Sequence, residues 1–266
     1  MRNLKVTISY DGTAYHGFQK QNNAVTVQGT IETALSRLLK QDASITGCSR
    51  TDAGVHARKF CFNTRTDSPI PTDGFIMGLN SLLPRDIAVH SCETADDNFH
   101  ARYSAKAKEY TYLIHNGGIR DVFTNNRAYF YPRPLNLELM NKAANIFIGE
   151  HDFSAYCKAE SLEAVKNKKH GAIREIYDFK AVKSVKSVNG KTVNDGEKLV
   201  ELIICGNGFL HNMVRIMAGT LLNINEGKMS LDDVRKSLSA SSNARESAGV
   251  TLPACGLYLN RVIYDD

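Results

Sequence analysis

The sequence predicts an α+β fold made of two similar halves with largely antiparallel sheets and helices. Segments with the period-two alternation of strands are interspersed with segments that have helical periodicity. The order strand, helix, strand occurs once before residue 100 and again after residue 130. With 266 residues, of which 42% are apolar and 23% charged, the chain can bury a core, and collagen-like, disulfide-scaffold and largely disordered classes are excluded. We therefore expect two halves, residues 1–104 and 105–266.

The strands follow from alternating apolar and polar side chains. Between Leu4 and Tyr10, four apolar side chains share one face and three polar side chains share the other. The same alternation predicts six more strands: Lys59–Arg65, Asp86–Thr94, Ala105–His115, Ile173–Val185, Lys198–Cys205 and Gly256–Tyr264.

The helices follow from apolar residues three to four positions apart. In Thr26–Lys40, apolar residues recur at positions i, i+4, i+7 and i+8 from Ile31. Similar spacing predicts helices over Pro134–Ile148, from Gly208 to Asn223, and from Ser230 to Leu238.

Several protein classes lack their usual signals. No segment reaches the roughly 18 to 20 apolar residues of a membrane-spanning helix, and the first residues lack a signal-peptide pattern. The six cysteines are scattered and mostly flanked by apolar residues, which is typical of buried, reduced thiols in a cytoplasmic protein. Dinucleotide, P-loop and metal-ligand spacings are missing, so we expect no cofactor and no metal.

The net charge of +5 is concentrated in one segment. Between Lys158 and Lys186, eight basic residues stand against four acidic ones, a local excess of 8 − 4 = +4. Lys166, Lys168 and Lys169 form its densest part. The segment is either a solvated surface or a surface that grips a nucleic-acid backbone.

The stretch from Gly47 to Ala57 consists of small, polar, turn-forming residues and should be a surface loop. Asp52 is then either an Asx-turn residue with Arg50 as a solvated partner, or a carboxylate kept ionised by that guanidinium and available as nucleophile or base. In the predicted helix after Gly208, His211 and Arg215 lie on a polar stripe, which is either an exposed face or a face that receives something close.

The third stretch combines basic and aromatic residues. It comprises Phe99, His100, Ala101, Arg102 and Tyr103, followed by a predicted strand in which Lys106, Lys108, Tyr110 and Tyr112 share a face. Rings interleaved with cations suit unstacked RNA bases and phosphates. A strand edge with tyrosines half buried over a core explains the pattern equally well.

These motifs together resemble the tRNA pseudouridine synthase A family. The resemblance rests on the nine residues Ser49–Ala57 and on four further motifs in the same order, Tyr10–Gln19, Asn98–Arg102, Phe209–Arg215 and Gly256–Leu259. It spans nearly the whole chain, from about Leu4 to Ile263.

The resemblance implies a pseudouridine synthase fold, with the two halves facing a central RNA-binding cleft, and a homodimer that isomerises uridine in the anticodon stem-loop of tRNA without a cofactor. It assigns Asp52 as the catalytic aspartate, Tyr110 as the ring that stacks on the target base and Arg215 as the basic partner of the carboxylate. Arg50 falls in the catalytic loop, and Phe99–Tyr103 falls where the family touches RNA.

Two departures from the family pattern leave alternatives open. Phe18 replaces a tryptophan, which keeps a ring but loses an indole donor, and Glu160–Lys169 does not match the pattern. One alternative is a non-catalytic protein that binds or folds RNA on the same scaffold. The other is a paralogue that chooses different uridines.

Overall fold

The computed structural model describes residues 1–166, 170–184, 186–188, 191–193, 198–239 and 245–265. The main elements in chain order are β1 (Arg2–Tyr10), α1 (Val27–Leu39), β2 (Thr46–Gly47), β3 (His56–Thr66), α2 (Thr72–Leu82), β4 (Ile87–Ala95), β5 (Ala107–Asn116), β6 (Tyr129–Tyr131), α3 (Leu137–Ala144), β7 (Gly149–Asp152), α4 (Ala159–Lys166), β8 (Ile173–Lys183), β9 (Lys186–Val188), β10 (Lys191–Val193), β11 (Leu199–Gly206), α5 (Met213–Asn225), α6 (Leu231–Ser237) and β12 (Leu257–Ile263).

The chain divides into two compact units. The first comprises Met1–Lys108 and the residues from Tyr258 onward, and the second comprises Glu109–Leu257. Each contains a mainly antiparallel sheet and helices, so the predicted α+β class is confirmed. The last strand of the chain thus belongs to the first unit.

The first unit is built on the strand order β4-β1-β3-β12, with β2 beside β3. β1 runs antiparallel to β3 and β4, whereas β12 pairs parallel to β3. Helix α2 packs on β4 and on α1. The alternation predicted for β1 is confirmed, because Leu4, Val6 and Ile8 are fully buried whereas Lys5 is partly exposed.

The second unit contains the order β5-β11-β8-β7, with β6 parallel to β5. Helix α3 packs on β8 and α5. An aromatic cluster fills the core below it, with the Phe147 ring 5.7 Å from Phe179 and 5.2 Å from Tyr156. Within the described chain, no helix has the length and apolar character needed to cross a membrane.

Two helices of the structure were not predicted. Helix α2 contains Gly74 and Gly78 after Pro71, a composition typical of turns, although Phe75, Leu79 and Leu82 have the i, i+4, i+7 spacing of a helix. Gly78 lies close to α1, since a Cβ there would be 2.6 Å from Leu38 Cδ1. Helix α4 has only eight residues, and three of them are charged.

The predicted strand over Ala105–His115 exists, but its expected one-sided burial is wrong. From Glu109 to His115 every side chain of β5 is buried, Tyr110 at 6% exposure and Tyr112 at 0%. A strand covered on both faces needs no polar alternation, so period-two reasoning cannot describe it.

The predicted helix start at Gly208 is also wrong, because α5 begins at Met213. Asn212 has φ 65°, a left-handed conformation that interrupts a helix and that asparagine tolerates better than most residues. His211 and Asn212 therefore precede the helix instead of lying on its polar stripe.

Candidate active site

The loop that carries Asp52 leads from β2 into β3. Thr46 and Gly47 pair with β3, and the Cys48 amide donates to the Cys61 carbonyl oxygen at 2.9 Å. The chain then turns at Asp52, whose carbonyl accepts from the Val55 amide at 3.2 Å, with Gly54 at φ 77°. That conformation favours glycine, which explains the Asp-Ala-Gly sequence.

A second loop, Tyr10–Phe18, lies against this turn. Gly12 and Gly17 allow the two backbones to touch, since a Cβ on Gly12 would lie 2.0 Å from the Val55 oxygen and one on Gly17 would lie 2.7 Å from the Thr51 oxygen. The Phe18 amide donates to the Thr51 carbonyl at 3.1 Å. The Tyr10–Gln19 and Ser49–Ala57 motifs of the sequence therefore pack against each other.

Side chains add further links between these loops. The Tyr10 and Thr51 hydroxyls share a buried hydrogen bond of 2.8 Å. Nδ1 of the buried His56 accepts from the Gly12 amide at 3.1 Å, and its ring stacks on Tyr258 with centroids 4.6 Å apart. The loop carrying Asp52 is therefore held before any substrate arrives.

Phe18 lies beneath this loop. Its ring stacks on Phe60 with centroids 4.2 Å apart and fills the space that Gly47 leaves open. Burial raises the pKa of the Cys48 thiol nearby to about 12, so this thiol stays neutral. The Phe18 ring therefore packs between the loop and β3.

The two predicted charges of this loop differ in surroundings. Asp52 is partly buried, whereas Arg50 is exposed. Arg50 forms no hydrogen bond or ion pair with any residue in the described ranges. Its guanidinium is therefore open to a ligand from solvent.

The predicted RNA-contact motif Phe99–Tyr103 is a turn on the first unit. Ala101 is fully buried, its amide donates to Asn63 Oδ1 at 2.9 Å, and its carbonyl accepts from Tyr264 at 2.7 Å. His100 accepts from the amides of Arg102 and Tyr103. Arg102 and Tyr103 themselves are exposed, Tyr103 at 76%, so these two side chains can reach a ligand.

In the second unit, Tyr110 lies on β5 and Phe209 contacts it edge to face, with ring centroids 5.1 Å apart. Phe209 belongs to the segment that precedes α5. That segment is attached to β8 by reciprocal bonds, because the Asn207 amide donates to the Glu175 carbonyl at 3.0 Å and the Glu175 amide donates to Asn207 Oδ1 at 3.1 Å.

Arg215, on the first turn of α5, is held at two of its nitrogens. Nε donates to the Leu252 carbonyl at 2.7 Å and Nη1 donates to Asn212 Oδ1 at 2.9 Å. The left-handed conformation of Asn212 positions this acceptor. The sequence analysis did not predict that Asn212 would be the acceptor for Arg215. The signal was an Asn directly before an apolar helical run.

The polar stripe of α5 receives another segment of chain, as one of the two interpretations of the sequence proposed. A Cβ on Gly219 would lie 1.9 Å from the Val250 oxygen, and one on Gly249 would lie 2.3 Å from the Thr220 nitrogen. The Leu252 amide also donates to the Arg215 carbonyl at 3.3 Å. Arg215 is therefore fixed by a segment far away in sequence.

The predicted lysines are only partly covered by the structure. Lys166 is the last residue of α4, while Lys168 and Lys169 lie outside the described residues. Helix α4 itself is joined to the segment before α5, because the Lys158 amide donates to the His211 carbonyl at 3.0 Å and Ser161 Oγ lies 2.6 Å from His211 Nδ1. Across the ranges that the structure covers, no cluster of three or more His, Cys, Asp or Glu side chains has a metal-binding arrangement.

Comparison with known proteins covers nearly the whole chain. Residues 6–104 and 143–265 match the model of a family described as tRNA pseudouridine synthase. Proteins called tRNA pseudouridine synthase A from Ruminiclostridium cellulolyticum and Caldicellulosiruptor bescii are each 43% identical over 264 residues, covering 99% of this chain and 100% of each relative. One from Bacillus pumilus is 42% identical over 265 residues, covering 99% of both chains.

Proposed function

The chain belongs to the tRNA pseudouridine synthase family, and on that premise we propose that it acts on the anticodon stem-loop of tRNA with Asp52 as its catalytic carboxylate. Isomerisation of uridine in tRNA is the activity of the family, so the chain is an isomerase and the alternative of a non-catalytic RNA-binding protein is set aside. The site of action on tRNA and the roles of single residues belong to the proposal.

The observation that carries the assignment of Asp52 is the set of contacts that support its loop. Backbone contacts at Gly12 and Gly17 and the Tyr10–Thr51 hydrogen bond hold the turn in one conformation. A catalytic carboxylate must be positioned within a fraction of an ångström, whereas a solvated turn residue needs no such support.

The proposed reaction balances without a cofactor. The C1′–N1 bond of uridine breaks, the uracil turns, and a C1′–C5 bond forms; C5 loses a proton and N1 gains one. Asp52 starts the reaction by attacking the sugar or by removing a proton from it. The target base leaves its stack to be reached, and the Tyr110 ring holds the extruded base.

Arg215 is proposed as the cation that keeps the carboxylate ionised. A guanidinium held at Nε and Nη1 by Leu252 and Asn212 cannot swing away, so its charge stays in one place. Arg50, Arg102 and Tyr103 are exposed and are proposed to contact tRNA, together with Lys166, Lys168 and Lys169.

The decisive test replaces Asp52 by Asn, which removes the charge and keeps the shape. We expect no release of tritium from tRNA labelled at C5 of uridine, with tRNA binding retained. Asp42→Asn, a change of the same kind at an exposed position of the same unit, is the control and should remain active. An active Asp52→Asn protein would refute the assignment.

Mapping pseudouridine in tRNA with and without this protein identifies its targets. Loss confined to the anticodon stem-loop supports the proposal, and loss elsewhere supports the alternative of a paralogue with a different uridine choice. A cytoplasmic location fits this substrate.

A homodimer is also part of the proposal. Ile119, Val122 and Phe123 are 82%, 77% and 85% exposed, beside a cavity of about 450 Å³, and such apolar surface is typical of an interface. Sedimentation velocity measures the oligomeric state, and we expect the mass of a dimer.

A further inference from the structure

Arg174 is a charged residue on the buried side of a sheet. It is the second residue of β8, and strand alternation places it on the same face as Ile176, which is 1% exposed. Its cross-strand partner on β7 is His151, whereas Glu150 and Glu175 pair with each other and lie on the opposite face. The register therefore puts no carboxylate directly beside Arg174.

Within the described ranges, the guanidinium of Arg174 donates only to carbonyl groups of its own turn. Nη1 donates to the carbonyls of Gly171 and Ile173. Across the described ranges Arg174 forms no ion pair and no other hydrogen bond, and burial lowers the pKa of its guanidinium. A partly desolvated cation without an anion is costly, so its position calls for an anionic ligand.

The surroundings of Arg174 leave room for such a ligand. It lies along Gly208, where a Cβ would be 3.6 Å from its Cδ and Nε, so no side chain covers it from that residue. The same segment leads to His211, whose carbonyl accepts from the Lys158 amide. Lys158 and His211 are exposed and supply hydrogen-bond donors nearby, with the Lys158 ammonium 3.5 Å from the Glu160 carboxylate.

We propose that Arg174 is the centre of a phosphate-binding site for the RNA backbone, next to the segment that leads to Phe209 and Arg215. The planar guanidinium matches two phosphate oxygens, and the phosphodiester is the anion that tRNA supplies. The inference rests on tRNA being the substrate. Arg174 would then hold one phosphate of the RNA backbone next to the Phe209–Arg215 motif.

The test measures the affinity for an unmodified tRNA transcript over a range of salt concentrations. Arg174→Gln should weaken binding about five- to tenfold at low salt and reduce the slope of log affinity against log salt by about one, since one phosphate contact is lost. Arg174→Lys should keep the slope. Arg235→Gln is the matched control, because Arg235 is exposed and already paired with Asp232 at 2.6 Å.

A second variant leaves Arg174 in place, in case its removal disturbs the turn at Gly171. Gly208→Asp puts a carboxylate beside the guanidinium and should lower the slope as Arg174→Gln does, whereas Gly208→Asn adds the same bulk without charge and should not. The position accepts a side chain, because the Cβ contacts are ordinary at 3.6 Å and φ is not positive.

An unchanged slope in both Arg174→Gln and Gly208→Asp would overturn the phosphate site, even if uridine is isomerised normally. If the wild-type protein forms no pseudouridine but the slopes still differ, the proposed activity fails and the phosphate site stands. The two failures are therefore distinguishable.

Discussion

The loop that carries Asp52 and the helix that carries Arg215 are both held by backbone contacts at glycines, but their supports differ. Asp52 lies in a turn between β2 and β3 that is held by a second connection, Tyr10–Phe18, whose only regular element among the described residues is a single 3-10 turn at Gly12–Ala14. Arg215 lies on a 13-residue helix, and the extended segment around Val250 is laid against it. Two loops that support each other can shift when their contact is disturbed, whereas a helix packed in a dense core has little room to move.

The two kinds of support predict different consequences of mutation. Disturbing the support of Arg215 strains the core of the second unit, so the loss should appear mainly in the free energy of unfolding. Disturbing the support of Asp52 moves a surface turn, so the loss should appear mainly in turnover.

The largest effect on stability is expected for Gly219→Ala. Alanine favours helices over glycine, but its methyl group would meet the Val250 oxygen at 1.9 Å, so the helix or the Val250 segment must shift. We expect the free energy of unfolding to fall by about 3 kcal/mol in urea denaturation. Gly118→Ala, with open space around the Cβ, is the control and should change the free energy of unfolding by less than about 0.5 kcal/mol. Equal losses in the Gly219 and Gly118 variants would show that the contact with Val250 does not support α5.

Gly12→Ala tests the support of the turn that carries Asp52. The new methyl group would lie 2.0 Å from the Val55 oxygen, and the two loops can separate to relieve the contact. We expect a loss of about 1–2 kcal/mol in the free energy of unfolding, and a fall in kcat of about 100-fold because Asp52 is displaced. A variant with normal kcat would show that this contact does not position the turn.

Arg215→Lys should have a smaller effect on stability. A lysine cannot donate at the same time to the Leu252 carbonyl and to Asn212 Oδ1, so the free energy of unfolding should fall by about 1 kcal/mol. Hydrogen exchange locates the loss: the Leu252 amide, which donates to the Arg215 carbonyl, should exchange faster while that of Val6 in β1 stays slow. Faster exchange at both would mean a general destabilisation.

The smallest effect on stability is expected for Arg50→Ala. The side chain is exposed and has no partner among the residues that the structure covers, so the midpoint of urea unfolding should not change. If Arg50 contacts a tRNA phosphate, affinity should fall and the salt slope should decrease by about one. Arg37→Ala, on the exposed surface of α1, is the control; the same slope in both variants would leave Arg50 without a role in binding.

Much of the fold could be predicted from local patterns. Alternation located β1, β3, β4, β8 and β11 to within a few residues, and spacing located α1 and α3. Helix α2 escaped because Pro71 and its glycines are typical of turns, and its helical conformation depends on packing against α1. Helix α5 was found, but not its start, because one left-handed residue at Asn212 decides it.

For the candidate site, the local sequence was enough to predict the chemical groups: a carboxylate in a turn-forming loop, a guanidinium beside an apolar helix, and rings interleaved with basic residues. Those features depend on residue type and on neighbours within a few positions. Only the tertiary structure decided what each group touches, such as Val55 against Gly12, Leu252 on Arg215, and the lack of a carboxylate beside Arg174 within the described ranges. These contacts join residues far apart in the chain, and no local sequence pattern specifies which distant segment will pack against a given residue.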